Sequence, residues 1–141
     1  CNKAGFRSVA FTSVDSKGDP IYHTNVMMCI ADQFAVICLD SIPDETEKRT
    51  VIETLKDTKK EIIEISFDQM NRFAGNMLQV QNTNGDCFLV MSSQAYNSLT
   101  AEQIKRIEHY NPILHSDITT IETNGGGSAR CMMAEVFLAE K

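Results

Sequence analysis

Basic residues never cluster in this chain: the longest run is the pair Lys59-Lys60, and the formal net charge is −6 with a sequence pI near 5.0. A surface that tracks phosphates has little to build on, so nucleic acid is not an expected partner. Long apolar runs are missing as well. Stretches such as Phe34 to Leu39 and Cys87 to Met91 fall far short of the roughly 20 residues that a membrane-spanning helix needs. The opening CNKAGF has no apolar signal core. These absences point to a cytoplasmic protein with no membrane partner. Paired cysteine spacing is also lacking. The five cysteines are odd in number and include no Cys-x-x-Cys, which fits reduced thiols better than a disulfide framework. No His-x-x-x-His occurs either, so no zinc site is expected. Each cysteine is then either core or chemistry.

What is present supports one core. The 141 residues are 43% hydrophobic and 23% charged, a balance that suits a single compact unit over residues 1–141. The chain opens on Cys1 rather than Met. Its first residues read as the end of a helix, with Gly5 as the stop and a strand over Phe6 to Thr12. It is therefore expected to be a piece of a longer protein.

A repeat fixes the fold class more firmly than local propensity does. Asn25 to Ile42 holds two apolar strand-like runs separated by Ala31-Asp32-Gln33. Pro43 to Thr58 follows as an amphipathic helix, with Pro43 in the first turn, Asp44, Glu45 and Glu47 at the positive end of the dipole, and Val51, Ile52 and Leu55 at helical spacing. Glu61 to Ser66 closes the unit as a strand. The order is ββαβ.

The same order returns 51 residues after Asn25, with Asn76 to Gln81, a turn containing Asn84-Gly85, and Cys87 to Met91. A helix starts at Thr100, where Thr100-x-x-Gln103 makes a capping box, and Pro112 to Ile118 supplies the closing strand. A further strand is expected over Cys131 to Ala139. The predicted class is α/β built from repeated ββαβ units, complete over about 25–66 and 76–118 and partial at 6–23 and 131–139. In this register Asn25, Asn76 and Cys131 start equivalent strands. If the units surround an axis, His23, Asn76 and Cys131 share a central cleft.

The segments IYHTNVMM, FAGNMLQV and GGGSARCMMAEVF resemble the guanidino-group modifying enzymes, the pentein superfamily, and most of all its bacterial amidinotransferase-like members that hydrolyse citrulline. The resemblance covers essentially the whole chain. It implies a five-bladed propeller of ββαβ units, incomplete here, in which Cys131 is the nucleophile and His23 the acid/base partner. It also implies two acidic residues that bind the substrate guanidinium. These belong upstream of His23, and Asp15 and Asp19 do not match that motif. The fragment alone is therefore expected to be inactive. Where several relatives carry His-x-Asp, this chain has His23-x-Asn25, a neutral amide that favours a neutral ureido group such as that of citrulline over a cation.

The implied chemistry is substitution at a planar carbon bearing three heteroatoms. Such a carbon is a poor electrophile, so a thiolate suits it. An imidazole can protonate the leaving amine and then deprotonate water. No metal or organic cofactor is required. The plainer readings stand beside these. Cysteine is among the most buried residue types, and Cys29, Cys38 and Cys87 read as core. A lone His usually bonds backbone, His109 reads as a helix-end residue, and His115 lies in a predicted strand. Asn76 caps a strand end or binds substrate. The same residues are compatible with an amidinotransferase, which passes the adduct to an amine. A non-catalytic module is the other alternative, since pentein-like ribosome anti-association factors share the shape without this chemistry. A cut-open propeller would expose sheet edges, so a homo-oligomer is a further expectation.

Overall fold

The computed structural model describes residue 5 and residues 7–134. Two three-stranded sheets form its frame, each an antiparallel hairpin followed by a parallel third strand. In the first, β1 (Met28–Ile30) pairs with β2 (Phe34–Ile37), with Cys29 opposite Val36, and the chain returns to β3 (Glu61–Glu64), with Val36 opposite Ile63. In the second, β4 (Leu78–Gln81) pairs with β5 (Cys87–Ser92), which pairs in parallel with β6 (Ile113–Ser116). Parallel neighbours cannot be joined by a tight turn and need a crossover. A helix supplies it in both sheets, so the mixed α/β class and the ββαβ order expected from sequence are present.

Local chemistry sets the boundaries. A short helix α1 (Thr24–Met27) leads into β1. The first crossover helix, α2 (Glu45–Asp57), is capped by the Asp44 carboxylate, which accepts from the N–H groups of Thr46 and Glu47. Pro43 therefore stands outside the first turn, one residue before the cap. After β3 comes α3 (Phe67–Asn71), held by a capping box between Ser66 and Gln69. The second crossover uses α4 (Ser93–Ser98) and α5 (Ala101–Glu108), and the expected Thr100–Gln103 capping box starts α5. The β4–β5 turn is closed by the Asn82 side chain, which accepts from the N–H groups of Asn84 and Asp86, and Gly85 takes a φ of +89°. Last come α6 (Thr119–Gly125) and a 3₁₀ turn over Ala129–Met132.

Three strand expectations are corrected. Residues 7–13 form no strand, and the nearest pairing is an isolated bridge between Val14 and Pro20. Asn25 lies in α1 and Asn76 two residues ahead of β4, so neither begins a strand. Cys131 sits in the 3₁₀ turn, where its N–H donates to the Ser128 carbonyl at 3.0 Å. The remainder of the expected strand, residues 135–139, and the helix end read at residues 1–4 lie outside the described residues.

One core spans both units. Phe34, Met27, Ile37, Ile63, Met77, Leu89, Met91 and Ile107 are fully buried in a single cluster. Each contributes about 1.5–3 kcal/mol through removal of its side chain from water. Polar links fix the two units against each other. Arg106 donates to the Glu61 carboxylate at 2.6 Å and to the Ile62 carbonyl at 2.7 Å, and the Tyr110 hydroxyl donates to Glu61 at 2.7 Å. These bonds hold the Glu61 carboxyl below its ordinary range, the Tyr110 hydroxyl being the largest cause. Gln103 donates across to the Glu64 carbonyl at 2.7 Å. On the opposite hairpins the Asp32 N–H donates to Gln79 at 2.7 Å. This second seam places α1 beside the segment that precedes β4, and the candidate site lies at that junction.

Candidate active site

Gly75 brings the two units into contact at the site. A Cβ on it would stand 2.4 Å from the Val26 carbonyl oxygen and 2.9 Å from the Met27 carbonyl carbon, both backbone atoms with no room to yield. Only glycine lets the residues before β4 lie directly on α1. Asn76, the next residue, is 3% exposed. Its amide nitrogen donates to the Asn25 carbonyl at 2.9 Å and to Cys131 Sγ at 3.2 Å, while its oxygen accepts from the Arg130 N–H at 3.1 Å. The Asn25 side-chain amide approaches the same sulfur at 3.7 Å.

Cys131 itself is exposed, and the loop before it is shaped around its side chain. Gly126 ends α6 with φ +68°, a left-handed cap that suits glycine. A Cβ on Gly127 would stand 3.0 Å from both Cβ and Sγ of Cys131, so any side chain there crowds the sulfur. Ser128 is fully buried and its hydroxyl donates to the Glu122 carboxylate, which is 6% exposed. That pair ties the loop to α6, and the Ser128 carbonyl in turn holds the Cys131 N–H. The second Glu122 oxygen is buried and has no partner among the described residues.

The sequence-predicted residues thus divide. Asn25, Asn76 and Cys131 come together from α1, the β4 approach and the 3₁₀ turn. His23 is exposed at the start of α1, two residues before Asn25, and forms no hydrogen bond to Cys131 among the described residues. It borders a small cavity of about 190 Å³ with Tyr22 and Phe11. A larger cleft of about 670 Å³ is bounded by Asp32, Gln79 and Arg130. Cys131 forms no wall of either, although the residue is exposed.

The other candidates follow their plainer readings in part. Cys29 and Cys38 are fully buried. Burial pushes the Cys29 thiol up to about 12 against the pull of Arg130, and it raises Cys38 as well. Cys87 is half-buried and borders the larger cleft. His109 caps the end of α5, and His115 stacks on Tyr96 with ring centroids 4.1 Å apart. Among the described residues no three His, Cys, Asp or Glu side chains are grouped to hold a metal ion, and no helix is long and apolar enough to cross a membrane.

Gly75, Glu122 and Arg130 were not singled out from the sequence, and Ser128 was marked only as the end of the glycine run before Cys131. A glycine immediately before Asn76 was the available signal for the first. For Glu122 and Ser128 the signal was a carboxylate six residues ahead of a serine across a glycine run.

Chemically, an exposed sulfur faced by amide N–H groups is a place where negative charge on sulfur is stabilised. The family described as N,N dimethylarginine dimethylhydrolase, eukaryotic, matches residues 1–138. No curated protein matches the sequence. Among solved structures, the apo crystal structure of an arginine dihydrolase from the ornithine-ammonia cycle in cyanobacteria is similar, with a TM-score of 0.62 and 16% identity. That match covers 85% of this chain and 16% of the other. At this identity the likeness is one of fold.

Proposed function

This chain belongs to the N,N dimethylarginine dimethylhydrolase family, within the guanidino-group modifying superfamily that its motifs resemble, and we propose that it carries the nucleophile of a C–N hydrolase acting on a guanidino or ureido compound. One observation carries the reading. The cysteine named by the motif is exposed and has two asparagine amides aimed at its sulfur. In this family setting that arrangement suits attack by sulfur on a planar carbon.

With citrulline, the proposed reaction has two halves, formation of an adduct on sulfur and its hydrolysis. The Cys131 thiolate adds to the ureido carbon, and the bond from that carbon to the ornithine nitrogen breaks. The nitrogen leaves as the amine with a proton from His23. The thiocarbamate left on sulfur is attacked by water, whose proton His23 takes, and the released carbamate decomposes to ammonia and carbon dioxide. For arginine the first adduct is a thiouronium. His23 is the candidate shuttle because its side chain makes no hydrogen bond among the described residues and it stands two residues from Asn25, whose amide reaches the sulfur. Asn25 supports a neutral substrate, since an amide hydrogen-bonds a ureido oxygen but does not pair with a cation.

The chain is proposed to be the C-terminal portion of a propeller in a cytoplasmic enzyme, inactive alone because the acidic residues that bind the substrate lie elsewhere. The 16% coverage of the arginine dihydrolase chain supports this. Ile30 on β1 and Leu114 on β6 are 47% and 48% exposed on edge strands, which supports association with further units or a second copy.

The test is product analysis with the complete protein given citrulline, arginine and dimethylarginine separately. Ornithine and ammonia are expected from citrulline, at a higher kcat/KM than for any product from arginine. Faster turnover of arginine or dimethylarginine overturns the ureido preference. No product from any of the three overturns the hydrolase reading.

A further inference from the structure

Asn76 reaches the sulfur in an orientation that the backbone dictates. An asparagine amide has one acceptor end and one donor end, and which is which follows from its neighbours. On one side is the Arg130 N–H, which only donates. On the other is the Asn25 carbonyl, which only accepts. The oxygen must therefore face Arg130 and the nitrogen must face Asn25, which turns the second N–H of that nitrogen toward Cys131 Sγ at 3.2 Å. The amide oxygen lies farther from the sulfur, at 3.6 Å. Asn76 is 3% exposed, so its amide is largely shielded from solvent. Gly75 fixes the approach from one side, and the 3₁₀ turn is held from the other by the same Arg130 bond.

We infer that Asn76 is not a substrate contact but the residue that holds the Cys131 thiolate, supplying a preset N–H donor to the charged sulfur and anchoring the turn that presents it. The inference rests on the hydrolase reading for its importance to turnover, but the contact itself is a property of the sulfur. A hydrogen bond to a charged group is among the stronger single contacts a protein makes. Its loss is expected to lower the reactivity of the sulfur by about 10- to 100-fold.

Asn76→Asp is the informative variant because it keeps the shape. One carboxylate oxygen still accepts from Arg130, while the other faces the Asn25 carbonyl and the sulfur with no proton to donate. Two rates are compared in the complete protein: turnover of substrate, and alkylation of Cys131 by iodoacetamide followed by peptide mass mapping. The expected result is that kcat falls about 10- to 100-fold with KM within about threefold, and that alkylation of Cys131 slows by a similar factor. Asn76→Ala, which removes the donor without adding charge, is expected to show the same two losses, and thermal melting establishes that whichever variant is compared is folded. A rise in KM with unchanged alkylation makes Asn76 a substrate contact and overturns the inference. Unchanged kcat and unchanged alkylation also overturn it. The two claims fail separately, because a protein with no turnover of any substrate, whose Cys131 alkylation still slows in both variants, retains the Asn76 contact and loses only the hydrolase reading.

Discussion

Replacing Cys131 by alanine in the complete protein is expected to lower kcat by at least about 10⁴-fold, the scale of loss seen when a covalent nucleophile is removed. The fold should survive. Cys131 is exposed at a 3₁₀ turn, so its loss opens no core cavity, and surface changes of this kind usually shift stability by within about 0.5 kcal/mol. The other cysteines provide the contrast. Cys29 and Cys38 are sealed in the core with their thiols pushed up by burial, so they remain protonated at neutral pH and are poor nucleophiles there. Cys87→Ala, outside the proposed chemistry, is expected to leave kcat within about threefold of the starting protein. Steady-state kinetics of the two variants beside a thermal melt decide the matter. Equal losses in both, or a Cys131→Ala enzyme that still turns over, would remove Cys131 from its role.

His23→Ala is expected to lower kcat by about 10²- to 10⁴-fold, the range for removal of a positioned acid and base. The prediction is demanding because the present arrangement gives His23 no bond to the sulfur. Its side chain is exposed and caps nothing, so a structural role predicts almost no effect at all. The two halves of the reaction respond differently. Loss of the acid slows departure of the amine, whereas loss of the base slows release of the adduct from sulfur. Pre-steady-state measurement of amine release should therefore show both phases slowed. A variant within about threefold of the starting kcat assigns the proton transfer elsewhere.

Much of the scaffold was legible because its signals are local. The turn at Gly85, the acidic start of α2 and the Thr100–Gln103 capping box each act within a few residues, and apolar runs marked β1, β2, β4 and β5. Asn25, Asn76 and Cys131 were legible as candidates and the fold brings them together, but His23 stands apart from the sulfur and the shape of the site was not legible. Apolar residues after Asn25 and Cys131 read as strands, whereas α1 and the 3₁₀ turn form because distant groups hold them. The Met27 carbonyl accepts from Cys38 at 2.9 Å, and the Arg130 N–H reaches Asn76 across 54 positions. No pattern within a single window contains those partners. The strand expected near residues 6–12 fails for a related reason, since an apolar run becomes a strand only beside a ladder partner, and the described residues offer it only the bridge at Val14. Asn76 was singled out from its place in the repeat, but the three partners that define its amide come from α1 and the 3₁₀ turn, and only folding assembles them.

The most direct test of the central claim is the mass of the protein itself during turnover. The complete enzyme is mixed with citrulline, quenched in acid within the first turnover, digested and mapped. A carbamoyl increment on the peptide bearing Cys131, absent from the peptides of Cys29, Cys38 and Cys87 and lost on a longer incubation, is the expected result. Turnover that proceeds with Cys131 unmodified at every quench time, or an adduct that accumulates on another cysteine, would contradict the account.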